Sequence, residues 1–273
     1  MTRLLVAVAA AVLLTGCTSS PSQPGGPSES ADAPTSSSAS PTETTPPPDP
    51  GPTPEVGECH RLTFRQAVAV GTRTAPVACR RKHTAQTYFV GRLDLTTKSG
   101  FTRRVDSQAA QRQMRRACTN RLPQHLGRTP RELRLSMAQA VWFTPSPDRA
   151  AAGADWFRCD VVAVAAPRTL LPLPRRTKGW AGPEMCATAA PGTPGFRRVT
   201  CGATHAWRAV STVDIAGKRL PKPGAVAGLM DAPCRDAAAS SASDPLDFTW
   251  AQEGPTEEQW DAGQRYGICW VPD

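Results

Sequence analysis

The chain has 273 residues, 40% hydrophobic and 20% charged, with 32 Lys and Arg against 23 Asp and Glu and a formal net charge of +9. Nine cysteines, one of them near the N-terminus, leave eight in the remainder. An even number suits disulfides and leaves no spare thiolate nucleophile, and the length allows two small domains or one larger one.

Residues 1–16 have the form of a lipoprotein signal peptide. Arg3 supplies positive charge, Leu4 to Leu14 an apolar run, and Leu14-Thr15-Gly16-Cys17 a cleavage box. The run is shorter than the about 20 residues that span a bilayer. Cys17 is therefore the expected lipidated N-terminus. It places the mature protein on the extracytoplasmic face of the cell membrane, anchored and not threaded. Residues 17–56 follow as a linker of mostly Ser, Thr, Pro, Gly and Ala, without Lys or Arg and with no apolar residue larger than Ala before Val56. Such a segment buries too little surface to offset its ordering entropy and is expected to be disordered. As a semi-extended spacer it reaches roughly 100 Å.

Charge is polarised in the rest. Gly57 to Ala166 carries 19 basic and 7 acidic residues, an excess of +12, and Pro167 to Asp273 carries 12 and 11, an excess of +1. The cysteines divide the same way, into Cys59, Cys79, Cys118 and Cys159, then Cys186, Cys201, Cys234 and Cys269. Their intervals of 20, 39 and 41 residues are echoed by 15, 33 and 35. Flanking residues recur too. Cys79-x3-His83 parallels Cys201-x3-His205. Pro145-Ser146, Gly153 and Cys159 parallel Pro255-Thr256, Gly263 and Cys269, with Trp142 and Trp250 ahead of the two prolines.

The expectation is an α+β chain of two tandem disulfide-stapled β-β-α-β-β units, 57–166 and 167–273, behind the linker. In the first unit a short strand carries Cys59, and an alternating strand follows from Thr84 to Leu95. Ala110, Met114, Ala117, Cys118 and Leu122 recur at helical spacing, with Asp106 or Ser107 as N-cap. Strands at Leu133 to Phe143 and Trp156 to Val164 close the unit. In the second unit Trp207, Ala209, Ser211, Val213 and Ile215 are expected to share one strand face. The helix there is less defined, because Pro233 before Cys234 suits only a first turn. Strands near Phe248 to Trp250 and Tyr266 to Val271 follow. Four cysteines allow three pairings per unit. The short first intervals favour Cys59–Cys79, Cys118–Cys159, Cys186–Cys201 and Cys234–Cys269.

Gly57-Glu58-Cys59, the repeated Cys-x3-His before a strand, a helix-borne cysteine, and the Pro255-Thr256, Trp260, Gly263, Cys269 close resemble the actinobacterial septum-formation family, in two copies. The resemblance implies an exported or membrane-attached protein of septum formation and envelope work, with no assigned catalytic activity. This chain departs from that pattern with Lys82 and Thr204 where Pro precedes the histidine, and with Ala150 where Trp260 stands in the second unit.

No metal is expected, since zinc modules cluster cysteines in close pairs. His83 and His205 read as structural, His60 and His125 as surface residues. Serine-nucleophile, zincin and phosphate-loop motifs are absent. Asp94, Asp106 and Asp160 have no telling spacing, and the seven tryptophans read as packing. The functional feature is basic: Arg80, Arg81 and Lys82, then Arg112, Arg115 and Arg116 on one helix face. Outside the cell, nucleic acid is excluded as a partner. Anionic lipid, acidic wall polymer or an acidic envelope protein remain. The reading is a non-catalytic envelope lipoprotein without cofactor, an interaction module in septum formation or wall biogenesis. The alternative is a wall-processing enzyme with a dispersed acid/base site.

Overall fold

The computed structural model describes residues 49–71 and 74–273. The signal peptide, Cys17 and most of the linker lie outside them. The elements run β1 (Cys59–His60), α1 (Phe64–Ala67), β2 (Ala85–Arg92), α2 (Gln108–Leu126), α3 (Pro130–Arg134), β3 (Ala138–Phe143), α4 (Pro147–Ala151), β4 (Trp156–Ala165) and β5 (Thr169–Leu170). They continue as β6 (Met185–Ala187), β7 (Arg198–Thr200), β8 (Trp207–Asp214), α5 (Pro223–Ser241), β9 (Ala251–Glu253), α6 (Glu257–Asp261) and β10 (Tyr266–Pro272). The result is a mixed α and β fold with two five-stranded antiparallel sheets and four disulfides.

The first sheet is ordered β1-β2-β4-β3 with β5 on β4, and the second β7-β6-β8-β10-β9. The two share one register. Cys59 faces Gln86 as Cys186 faces Arg208, and Thr87 faces Asp160 as Ala209 faces Trp270. Each sheet has a bulge at the same place, with Tyr88 and Val210 left out of the pairing. The bulge overturns the single strand face expected for β8. An inserted residue reverses the alternation. Trp207 and Ala209 therefore join the core around Trp270, while Val213 and Ile215 face α5. Register also pairs Trp142 with Cys159 and Gln252 with Cys269, so the counterpart of Trp142 is Gln252, not Trp250.

One 19-residue helix covers each sheet. In α2 the buried stripe is Ala110, Met114, Cys118 and Leu122; in α5 it is Val226, Met230, Cys234 and Ala238, at identical spacing. The Ser107 hydroxyl accepts from Ala110 N–H to start α2, and Gly127, at φ 64°, ends it in the left-handed conformation that glycine adopts without penalty. Disulfides Cys118–Cys159 and Cys234–Cys269 tie each helix to the central strand beneath it, and Cys59–Cys79 and Cys186–Cys201 close the shorter loops. This is the pairing that the intervals favour.

Two further expectations are corrected. The helix at Cys234 runs through Pro233, because that proline is exposed and the stripe and disulfide on the other side hold the turn against the sheet. The segment from Leu133 does not start as a strand. Thr129 and Glu132 form a capping box with Pro130 in the first turn, so α3 precedes β3. The residues on either side of 166 and 167 pack together. All described residues belong to one compact body. β5 pairs with β4, Leu173 and Trp180 pack into the first core, and Met137 of the first half is buried in the core beside Met185 and Trp270. The described end of the linker also departs from free disorder. Gly51 lies against the Arg149 guanidinium, and Pro52 to Pro54 wall a pocket.

Candidate functional site

The face of the first sheet away from α2 is apolar at one end, where Leu62, Ala67, Ala85, Phe143 and Val162 pack. At the other end it buries charge. β4 places Trp156, Arg158 and Asp160 on this face, β2 adds Thr87 and β1 adds His60. Arg158 and Asp160 are 4% and 0% exposed, and His60 is 0% exposed. Arg158 Nη1 donates to His60 Nε2 at 2.8 Å, and Nη2 stands 3.2 Å from Asp160 Oδ2. The Thr87 hydroxyl donates to Asp160 Oδ1 at 2.8 Å. Glu58 Oε2 lies 3.5 Å from His60 Nε2, and the guanidinium sits over the Phe143 ring.

Burial dominates the proton affinities. It lowers His60 to about 4, with Arg158 adding to the effect, so His60 is neutral and accepts from the guanidinium. Burial raises the Asp160 carboxyl to about 6, against the opposing pull of Arg158 and Thr87. The Arg158 Nε and the Trp156 indole N–H find no acceptor. An unmet buried donor costs about 1–3 kcal/mol. The cluster lies beneath a pocket of about 590 Å³ that Arg158, Trp156, Glu58 and Arg149 help to line.

The second sheet shows that packing does not require any of this. Matched through the cysteines and the register, His60, Thr87, Arg158 and Asp160 correspond to Ala187, Ala209, Ile268 and Trp270. There the same positions form an apolar core, with Phe196 edge-on to Trp270 at 5.5 Å.

The expected site residues fall out differently. Arg80, Arg81 and Lys82 are exposed in the loop closed by Cys59–Cys79, and Arg112 and Arg116 are exposed on α2. Arg115 does not share their free face. It is half-buried against Gly263 and donates to the Asp261 carbonyl at 3.1 Å. His83 and His205 each meet, through Nδ1, the carbonyl two residues back, at 2.8 and 2.7 Å. His60 is a correction: the pairing of β1 with β2 buries it. His125 is half-buried, tilted against the Tyr88 ring at 5.3 Å. Among the described residues one group has the proximity of metal ligands, Cys186, His205 and Asp273, but Cys186 is bonded to Cys201. Asp106 is exposed and paired with Arg104. The polar flanks of Glu58-Cys59-His60 and Arg158-Cys159-Asp160, against Met185-Cys186-Ala187 and Ile268-Cys269-Trp270, were the available signal for the buried cluster.

The septum formation family model matches residues 56–269, across both sheets. The chain belongs to the septum formation family. That family match is continuous and takes in the pocket's Glu58, Arg149 and Arg158 as well as all eight paired cysteines. Neither a curated protein nor a solved structure matches the chain. Among the described residues no helix of this septum formation protein is long and apolar enough to cross a membrane.

Proposed function

We propose that this septum formation protein is a lipid-anchored, non-catalytic binding module of the cell envelope, serving cell division or wall biogenesis. In this reading Cys17 carries the lipid, residues 17–56 form the linker, and the folded part is two copies of one β-β-α-β-β unit fused into one body. The copies have divided their work. The second keeps an apolar core and supports the first, and the first binds. The observation that carries this is the polar set His60, Thr87, Arg158 and Asp160, present where the second sheet has Ala187, Ala209, Ile268 and Trp270. The charge excess of +12 against +1 points to the same half.

The exposed Arg80, Arg81, Lys82, Arg112 and Arg116 suit an anionic lipid, an acidic wall polymer or an acidic envelope protein. Such attraction is screened over about 8 Å at physiological salt. The non-lipidated chain, residues 18–273, should therefore bind phosphatidylglycerol vesicles or acidic wall polymer at low salt and release them as salt rises. Replacing those five residues by Gln should abolish the binding. Arg115 is left in place, because it holds Asp261. Unchanged binding by the five-residue variant would show that the charge is only solvation. The enzyme alternative has the pocket on its side, with Glu58 and Asp148 in its lining. Against it, the carboxyl with raised proton affinity, Asp160, is fully buried behind Arg158. Wall cleavage lost on Glu58→Gln would decide for the enzyme.

A further inference from the structure

We propose that the pocket beside Arg158 is a binding site for a neutral saccharide. This does not depend on the arginine surface, which is a separate set of residues. The pocket, about 590 Å³, lies within the usual 300–1,000 Å³ of small-ligand sites. Three parts of the chain build it: Pro52 to Pro54 from the linker's end, Thr74 to Pro76 from the Cys59–Cys79 loop, and Ser146 to Arg149 around the start of α4. Trp156 and Arg158 of β4, with Glu58 just before β1, complete it.

Its chemistry selects the ligand. Arg149 is exposed in the lining, and its guanidinium can only donate, so it calls for an oxygen acceptor on the ligand. Glu58 and Asp148 line the same space and accept only, so they call for donors. A hydroxyl supplies both roles, and a saccharide carries hydroxyls on every side. The proline rings offer apolar walls to the C–H faces of a sugar.

Charge argues against an anion. Arg149 and Arg158 are matched within the lining by Glu58 and Asp148, and Arg158 already faces Asp160. No net positive charge remains to hold a phosphate or carboxylate. The topology argues against an extended peptide, which docks by pairing with a free strand edge. The strand that supplies Trp156 and Arg158 is β4; Arg158 is paired on both sides, with Val90 and Phe143, and Trp156 is paired with Arg92 of β2. The second sheet supplies the control. It has the same fold at this place with Ala187, Ala209, Ile268 and Trp270, so folding does not demand the polar set.

The test is calorimetric titration of the detergent-solubilised full chain with maltotriose and tri-N-acetylchitotriose, and with trialanine and sodium phosphate as the peptide and anion arms. At least one saccharide should bind, and trialanine and phosphate should not. Glu58→Gln with Asp148→Asn should weaken saccharide binding by about tenfold or more, as lost hydrogen bonds to charged groups do. Asp148 is exposed and Glu58 is half-buried beside His60, so each single variant is titrated and its melting curve recorded, and lost binding counts where the fold is kept. The variant His60→Ala, Thr87→Ala, Arg158→Ile, Asp160→Trp gives the first sheet the second sheet's residues and should abolish binding while keeping the fold. If that variant does not fold, the Glu58 and Asp148 variants decide. Binding of neither saccharide, binding of phosphate or trialanine instead, or full saccharide binding by the Glu58 and Asp148 variants overturns the proposal.

Discussion

Asp160 and Trp270 occupy one place in two sheets. Each follows the cysteine that a helix clamps to the central strand, and each faces the last paired residue before a bulge, Thr87 or Ala209. One is a buried carboxylate tied to an arginine, the other the largest fully buried side chain among the described residues. Ala187 and Ala209 leave the room that Trp270 fills. His60 and Thr87 are larger, and the smaller Asp160 stands between them. Volume is traded across the four positions, so each set is a packing solution in its own right.

That trade has a stability consequence. Arg158→Leu leaves Asp160 buried without its cation and should cost about 3–5 kcal/mol. Changing all four residues to the second sheet's set removes the stranded charge and should recover most of that loss, because apolar replacement of a buried ion pair is often neutral or stabilising. Urea unfolding of the two variants beside the wild type measures both. A fourfold variant no more stable than Arg158→Leu would show that the two sets are not interchangeable.

His60 and Asp160 also set opposing pH dependences. Folded His60 titrates near 4 and an unfolded histidine near 6.5, so between these values acid favours the unfolded chain and stability falls as pH falls. Asp160 titrates near 6 when folded and near 3.8 when unfolded. Between those values the folded state holds a proton that the unfolded chain releases, and stability falls as pH rises. The two nearly cancel in the wild type. Asp160→Asn removes the second effect and leaves the first, and the variant should gain about 2–3 kcal/mol of stability from about pH 4 to about pH 6.5. His60→Ala should show the reverse slope from about pH 4 to about pH 6. Unfolding midpoints across that range, parallel for both variants, would rule the pair out as the source.

The scaffold was legible where local signals recur. Cysteine intervals, the Cys-x3-His pairs and the Ser146 and Thr256 caps each mark a local structural need that recurs at matching places, with Gly153 and Gly263 both at φ 100°. What escaped depends on pairing across the sheet. The bulges at Tyr88 and Val210 carry no local signature, yet they decide which face Trp207 or Val213 takes. His60 looks like any polar residue beside a loop until β1 pairs with β2 and closes over it. Arg115 shares a helix face with Arg112 by spacing, but Gly263, far along the chain, lies against it.

The disulfides should differ in worth. In the chain-entropy account a bridge stabilises by restricting the unfolded chain, and more so for longer loops. Cys118–Cys159 closes 41 residues and Cys186–Cys201 closes 15. Paired Ala replacement should cost about 4 kcal/mol at the first and about 3 kcal/mol at the second. Thermal and urea unfolding under non-reducing conditions would measure the gap. Equal losses would mean that native packing around each bridge, and not loop length, sets its value.

The lipid anchor is tested at Cys17. The box Leu14-Thr15-Gly16-Cys17 follows a short apolar run behind Arg3, and no described helix offers another way into a bilayer. A single acyl chain binds membranes only weakly and reversibly, so stable attachment asks for more than one chain or for added basic attraction. The exposed arginines of the first half are candidates for that second contact, within reach through a spacer of up to roughly 100 Å. Cys17→Ala should move the protein from the detergent phase to the medium, or leave it unprocessed with its leader attached. In the same cells, Gln at Arg80, Arg81, Lys82, Arg112 and Arg116 should leave the protein in the detergent phase but make it easier to release from membranes by salt. A Cys17→Ala protein that still partitions into detergent, cleaved and at wild-type level, would remove the lipid from the account.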